Sequence, residues 1–229
     1  CVAGLVDLIG FYAEMQMPGY RQMCERMFAS ADWAGRRVHM ADAATEFLLG
    51  ATEAIRHPEP ATSKNVVKLK ALSFARYGLQ AERPCVFSDM DVVWLRDPAP
   101  LFEQDFDVAV IRRRKCPYIV MPYNGGLMLS KPTPGARAFW RVYHAHINGC
   151  PECLDAWWCE QITLSVLLGV GRRIGETVEI DGAKILVMDA DKTCRVAKEG
   201  DDGAGAYALH FKGYRGAKDR MMEFNSCAA

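Results

Sequence analysis

The chain has no excess of either charge, no long apolar run and no internal repeat, and these absences exclude whole classes of protein. Its 28 basic side chains balance 28 acidic ones, whereas general nucleic-acid binders carry a basic excess, so we expect no nucleic-acid partner. No apolar run approaches the roughly 20 residues that span a bilayer, so we expect no membrane span. With no low-complexity linker either, the 229 residues predict a single domain, 1–229.

The nine cysteines are odd in number and scattered along the chain. Cytosolic proteins keep such thiols reduced, and we therefore expect a cytoplasmic protein. The apolar run at residues 2–6 lacks a basic flank and is too short for a signal peptide, so it predicts a first strand. The dense basic run at residues 112–115 is better explained as a solvated loop than as a site.

One group of cysteines and histidines has two interpretations. Cys150 and Cys153 have the spacing of many zinc sites, Cys159 follows, and thiolate and imidazole are zinc ligands. His144 and His146 lie two residues apart on a predicted helix, so they point to different faces and only one could join such a site. Unpaired thiols in a loop are the ordinary interpretation, and the sequence leaves the choice open.

Apolar strand patterns alternate with helical patterns along the chain. Helical spacing predicts helices over residues 20–28, 45–55, 63–77, 134–147 and 160–168. Short apolar runs predict strands over residues 2–6, 37–41, 84–88, 106–111, 126–129, 185–188 and 207–211. Such alternation predicts an α/β domain with a mixed, mostly parallel central sheet flanked by helices.

The pair Asp89 and Asp91 is the most informative chemical feature, because it directly follows a predicted buried strand. Residues i and i+2 of an extended segment point the same way, so both carboxylates face one site. They repel each other unless a cation or a proton neutralises them. Hard oxygen ligands suit Mg²⁺ or Mn²⁺, ions that usually arrive with phosphate groups. The pair predicts a metal–diphosphate site at the carboxyl edge of the sheet, although an isolated Asp-x-Asp is often only a solvated turn.

Two further segments carry matching chemistry. In the segment Asn124, Gly125 and Gly126, the glycines permit close approach of a ligand to the backbone, and the amide can bond a sugar hydroxyl. His210 ends a predicted strand and can complete a metal shell begun by two carboxylates. Each segment also has an ordinary explanation, as an Asn-Gly turn and as a structural histidine.

Four segments in this order and spacing resemble the GT-A nucleotide-sugar glycosyltransferases, and within them the glycogenin-like and lipopolysaccharide-galactosyltransferase-like retaining family. They are the Lys-Leu helix segment 67–72, the Asp-x-Asp strand 86–91, the Asn-x-Gly segment 123–126 and the His-x-x-Gly segment 210–213. Glu160 and Gln161 are similar to that family's Asp-Gln pair. The resemblance extends over residues 65–218, and it implies a GT-A fold.

The resemblance also implies roles for individual residues. Asp89 and Asp91 would hold Mn²⁺ or Mg²⁺, with His210 as the third protein ligand. A nucleoside-diphosphate sugar, with UDP as the expected nucleotide, would contact Asp7 near the base, Lys68, Asp89, Asn124, Gly125, Gly126, Gly213 and Lys218. The candidates on the catalytic and acceptor side are Glu160, Asn124 and Asp155. The acceptor would be a carbohydrate or another hydroxyl compound.

The chain departs from that family's pattern at two positions. The family's lysine follows the histidine by six residues, and that position here is Gly216. Lys218 lies two residues further on, and Lys212 or Arg215 could substitute. The family's acidic residue before glutamine is aspartate, whereas here it is Glu160. The departures therefore concern the diphosphate contacts and the acceptor side.

A second enzyme class shares the Asp-x-Asp pattern. The segment that begins at Asp89 also matches the first motif of haloacid-dehalogenase-like phosphatases, and Ser130, Lys192 and the pair Asp201 and Asp202 resemble the other motifs. That family's first motif usually lies near the N-terminus, and no buried strand precedes Asp201. The transferase is the preferred interpretation, and the phosphatase is the alternative.

Overall fold

The computed structural model describes residues 5–14, 19–48, 50–116, 121–150, 158–212 and 216–224. The strands are β1 (Asp7–Phe11), β2 (Arg36–Ala41), β3 (Glu53–Arg56), β4 (Cys85–Ser88), β5 (Val92–Trp94), β6 (Val108–Arg112), β7 (Tyr123–Ser130), β8 (Thr177–Ile180), β9 (Ala183–Asp189), β10 (Cys194–Val196) and β11 (Ala208–His210). The helices are α1 (Tyr20–Ala29), α2 (Val66–Gln80), α3 (Pro134–Gly149), α4 (Cys159–Leu168), α5 (Ala190–Thr193) and α6 (Ala217–Glu223), with a 3₁₀ turn at Ala99–Glu103.

The centre of the fold is an eight-stranded mixed sheet in the order β3-β2-β1-β4-β7-β6-β9-β8. Strands β3, β2, β1 and β4 are mutually parallel, and β9 is parallel to β6. Strand β7 runs antiparallel between β4 and β6, and β8 runs antiparallel at one edge. This architecture confirms the predicted α/β domain with a mostly parallel central sheet.

The sheet is buried on both faces, as its nearly continuous apolar strands require. Alternation sends Ile9 and Phe87 into one core and Leu8 and Val86 into the other. Helices α2, α3 and α4 cover the first core. Helices α1 and α6 and a small second sheet cover the other. None of the described helices is both long and apolar enough to cross a membrane.

Two strand pairings bring the predicted site residues together. Because β7 is antiparallel to β4, its beginning lies at the carboxyl end of β4, and Asp89 N donates to Gly126 O at 2.8 Å. The second sheet has the order β10-β11-β5 and pairs His210 with Val92. There Phe211 N donates to Asp91 O at 2.7 Å. Segments far apart in sequence thus meet at one edge of the large sheet.

One predicted helix is wrong, and one predicted strand is described only in part. Residues 45–55 do not form a helix, because Glu53–Arg56 is instead an edge strand paired with β2. The buried ring of His39 accepts a hydrogen bond from Leu48 N at 3.3 Å, which holds the preceding residues as a loop. The first described strand is Asp7–Phe11, so the end of the predicted strand over residues 2–6 is not in a strand. Residues 1–4 lie outside the described part, and Leu5 and Val6 precede the strand.

Candidate active site

Asp89, Asp91 and His210 form a cluster at the carboxyl edge of β4. One donor atom from each lies within 4.8 Å of the others. His210 Nε2 is 2.9 Å from Asp91 Oδ1 and 3.9 Å from Asp89 Oδ2. Both carboxylates are partly exposed, whereas His210 is buried. The structure therefore brings together the three residues predicted as metal ligands.

The donor set fits a divalent cation. Two carboxylate oxygens and one imidazole suit Mn²⁺, while Mg²⁺ favours oxygen alone. The Asn124 amide contacts the other ring nitrogen of His210 at 3.2 Å. Asn124 Oδ1 in turn accepts from Gly126 N at 3.2 Å. Such an outer contact fixes the orientation of a ligating ring, so Asn124 has a defined role beside the cluster.

Gly126 forms the floor of this cluster, because there is no room for a side chain there. A β-carbon added at Gly126 would lie 2.6 Å from Asp89 Oδ2 and 2.6 Å from His210 Cε1. A β-carbon at Gly125 would lie 3.1 Å from Cβ of Glu160. Neither glycine has a positive φ, so the space, and not the backbone conformation, requires glycine.

We expect Gly126→Ala to weaken Mn²⁺ binding roughly 10–100-fold, the loss typical of a displaced outer partner, because the new methyl group displaces Asp89 and His210. Overpacking should also cost about 1–3 kcal/mol of folding stability. Calorimetric titration with Mn²⁺ would measure the affinity at a temperature where the variant is folded. Gly171→Ala is the matched control, because a β-carbon there meets nothing within 4 Å. Parental Mn²⁺ affinity in Gly126→Ala would contradict this geometry.

Lys70 links the cluster to helix α4. Its ammonium forms an ion pair with Asp89 Oδ1 and a second with Glu160 Oε2, the latter at 2.8 Å. Burial alone would lower the pKa of Lys70, but the two carboxylates outweigh it and raise that pKa. Burial would likewise raise the pKa of Asp89, and Lys70 and His210 reverse the shift and lower it. Lys70 is therefore charged, and its charge is neutralised by two acids.

Glu160 lies in the first turn of α4, where its side chain reaches toward Gly125. The side chain is 7% exposed, and burial raises the pKa of Glu160 to about 7, with Lys70 acting against the rise. Its second oxygen, Oε1, is buried without a hydrogen-bond partner among the described residues. A buried acceptor without a partner is costly, so this oxygen is placed to receive a donor group from a ligand.

Arg113 orients the side chain of Gln161, the residue after Glu160. Its Nη2 donates to Gln161 Oε1 at 2.8 Å and to the Met121 carbonyl at 2.9 Å. The predicted solvated loop at residues 112–115 therefore contains an arginine that orients a side chain of α4. Neither Arg113 nor Lys70 was among the predicted site residues. Lys70 does lie in the Lys-Leu segment, but its sequence does not reveal which of two lysines points toward Asp89.

The other predicted donor-binding residues lie in different places. Lys68 is partly buried on α2 and makes no ion pair with the described residues, so its donor contact stays a prediction. The side chain of Lys218 packs against Gly19 at the start of α1. Asp155 and Gly213 lie outside the described residues, and their roles stay predictions.

The predicted location of Asp7 after the first strand is wrong. Asp7 begins β1 and is level with Cys85, whereas Gly10 is level with Ser88, next to the cluster. Its buried carboxylate pairs with Arg36 at 2.6 Å and Arg83 at 3.3 Å. These arginines neutralise the charge, which allows an acidic residue to lie inside a buried strand. The residues that follow β1 are Tyr12 and Ala13.

The placement of the phosphatase motifs argues against that alternative. Because β7 is antiparallel, Ser130 lies beside Cys85, at the opposite end of β4 from Asp89. Asp201 is paired with Arg195 at 2.6 Å in the loop after β10. These residues do not converge on the Asp89 and Asp91 pair.

The cysteine and histidine group is described only in part. Cys150 is partly buried, and Cys159 is buried in the core at the start of α4. Cys153 lies outside the described residues. Among the residues that the structure does describe, the cluster of Asp89, Asp91 and His210 is the one group with metal-binding geometry. Both interpretations of this group, a zinc site and ordinary thiols, therefore stay predictions.

Comparisons with known proteins identify the family and the fold of this chain. The profile of the nucleotide-diphospho-sugar transferase family matches residues 56–224. The galactosyltransferase LgtC, solved with donor and acceptor sugar analogs, has a TM-score of 0.58 at 11% identity, over 95% of this chain and 94% of that one. A glycosyltransferase involved in glycosylation of the major capsid of PBCV-1 has a TM-score of 0.56 at 12% identity, over 95% of this chain and 100% of that one. A search of curated protein sequences found no match.

The solved structures confirm the GT-A-like fold, and the family profile covers well over half of the chain. The predicted resemblance is thereby confirmed, and the comparisons do not support the phosphatase alternative. This chain belongs to the nucleotide-diphospho-sugar transferase family and is a glycosyltransferase.

Proposed function

We propose that the protein transfers a sugar from a UDP-sugar to a hydroxyl acceptor and that it requires Mn²⁺ or Mg²⁺. The observation that carries the metal requirement is the convergence of Asp89, Asp91 and His210 within 4.8 Å. UDP as the nucleotide rests on the resemblance of the four segments to the glycogenin-like and lipopolysaccharide-galactosyltransferase-like family.

The residues of the cluster and those around it have different proposed roles. Asp89, Asp91 and His210 would hold the ion, which supplies positive charge to stabilise the departing diphosphate. Gly125 and Gly126 carry no side chain, which leaves room for Asp89, His210 and Glu160 to face the donor. We expect the donor sugar to lie over this cluster, between β4 and the start of α4.

Glu160 would then face the transferred sugar or the attacking hydroxyl. Its Oε1 has no partner among the described residues, and its Oε2 is held by Lys70 at 2.8 Å. A carboxylate fixed at one oxygen can accept a hydrogen bond at the other without losing its orientation. Glu160 therefore positions a hydroxyl group, and Gln161, held by Arg113, borders the same space.

A thermal-shift titration tests the proposal. UDP with Mn²⁺ should raise the melting temperature of the parent protein, because a ligand that binds only the native state stabilises it. UDP or Mn²⁺ alone should give a smaller shift. In His210→Ala, the Mn²⁺ affinity and the Mn²⁺-dependent hydrolysis of UDP-sugars should fall together, since one ligand serves both.

Two outcomes would contradict the proposal. One is a parent protein that responds to phosphate analogues such as vanadate but not to UDP with Mn²⁺. The other is a His210→Ala variant that is less stable but has unchanged Mn²⁺ affinity, which would make His210 a structural residue. Thr163→Ala in α4 is a suitable control for loss of a buried polar group outside the cluster, because Thr163 is fully buried.

A further inference from the structure

Lys212 is a cation near the cluster whose charge has no direct partner among the residues that the structure describes. It follows the end of β11 by two residues, and its backbone N–H donates to His210 O at 3.0 Å. Among the described residues, its ammonium forms no ion pair or hydrogen bond. Its recorded contact is with the face of Trp158, whose ring centroid is 5.7 Å from Nζ. Asp89 and Asp91 act on it electrostatically without touching it.

The other two cations of the site are already engaged. Lys70 is neutralised by direct ion pairs with Asp89 and Glu160. The guanidinium of Arg113 donates to Gln161 and to the carbonyls of Met121 and Tyr123. Lys212 is partly buried, so water compensates its charge less well than that of a surface lysine. Within the described part of the site, the ammonium of Lys212 is therefore available for an anion.

We propose that Lys212 binds the diphosphate of the donor, in the role that the resemblance would give to a lysine at position 216. This inference rests on the proposed function. At position 216 the chain has glycine with a φ of +67°, which provides no charge. The contact with Trp158 at the start of α4 holds the Lys212 side chain over the site through a cation–π interaction.

The charge of Lys212 should affect the binding of metal alone and the binding of metal with diphosphate in opposite directions. In the free protein, the negative charges of Asp89 and Asp91 attract the ammonium of Lys212, and the positive charges of Arg113 and Lys70 repel it. A divalent cation bound to those carboxylates would repel the ammonium unless an anion is present as well. Lys212 therefore weakens the binding of the metal alone and strengthens the binding of metal with diphosphate.

The test compares Lys212→Met with the parent by calorimetric titration. Affinity for UDP in the presence of Mn²⁺ should fall roughly 10–100-fold, the effect of losing a charge-assisted hydrogen bond. Affinity for Mn²⁺ alone should stay equal or increase. Inorganic diphosphate with Mn²⁺ should show the same loss as UDP, whereas Lys212→Arg should recover most of it. Lys184→Met is the matched control, because Lys184 pairs with the exposed Asp105.

Each result separates the alternatives. Loss of UDP and Mn²⁺ affinity together would make Lys212 a structural residue and overturn the proposal. Loss of diphosphate affinity in Lys218→Met, but not in Lys212→Met, would assign the contact to Lys218 and also overturn it. If the parent binds inorganic diphosphate with Mn²⁺ but not UDP, the proposed donor fails while Lys212 is still tested. A parent that binds neither ligand would overturn both proposals.

Discussion

Asp91→Asn should abolish Mn²⁺-dependent UDP binding and leave the protein folded. The substitution keeps the shape of the side chain and removes its charge. Asp91 Oδ1 lies 2.9 Å from His210 Nε2, and this oxygen belongs to the proposed metal cluster. The affinity should fall by more than the roughly 10–100-fold that follows loss of an outer-shell partner, because a direct ligand is lost.

Calorimetric titration of UDP with and without Mn²⁺ would measure this effect, with the melting temperature as the check on folding. We expect the residual, metal-independent affinity for UDP to match that of the parent. Asp105→Asn has the same change of charge at an exposed position and should behave like the parent. If Asp91→Asn binds UDP with Mn²⁺ as tightly as the parent does, the metal site has been assigned wrongly.

Glu160→Gln should lower the rate of sugar transfer about 10²–10³-fold, the cost of removing one preorganised hydrogen-bonding group from a reaction centre. UDP affinity should change little, because Lys70 keeps its ion pair with Asp89 and the three proposed metal ligands are unaltered. The removed charge belongs to the carboxylate whose Oε1 lacks a partner among the described residues. Its loss therefore acts on the bound sugar or acceptor.

A purely structural role for Glu160 predicts a different result. Acidic residues in the first turn of a helix stabilise it by about 0.3–1 kcal/mol, and Glu160 occupies that turn of α4. Replacing it would then lower the melting temperature slightly and leave both transfer and UDP binding intact. Transfer rates, UDP titrations and melting curves on Glu160→Gln distinguish the two roles, with the exposed Glu179→Gln as control. Near-parental transfer would make Asp155 the next candidate.

The pair Asp89 and Asp91 could be predicted because its geometry is local. Side chains two residues apart in an extended segment point the same way whatever surrounds them. Local apolar spacing alone also predicts strands β4 and β9 and helices α3 and α4. His210 was predicted by resemblance, and its contact with Asp91 depends on the pairing of β11 with β5.

Two features could not be predicted, because both depend on distant partners. They are the edge strand that replaces the expected helix at residues 45–55, and the burial of Asp7 at the start of β1. An amphipathic pattern is compatible with a helix until an edge of the sheet offers β2 as a neighbour. Asp7 is acceptable inside β1 because Arg36 and Arg83 approach it from other elements. Local propensity is a weak preference that tertiary contacts override.

The sequence by itself determined the α/β class, the strand that ends in two carboxylates and the glycines that leave space beside them. Only the tertiary structure decided that Lys70 rather than Lys68 contacts Asp89, that Arg113 holds Gln161, and that Lys212 has no direct ion pair with the described residues. The reason is physical. Alternation and helical spacing are properties of neighbouring residues, whereas strand order and helix orientation follow from burying apolar surfaces that are far apart in the chain.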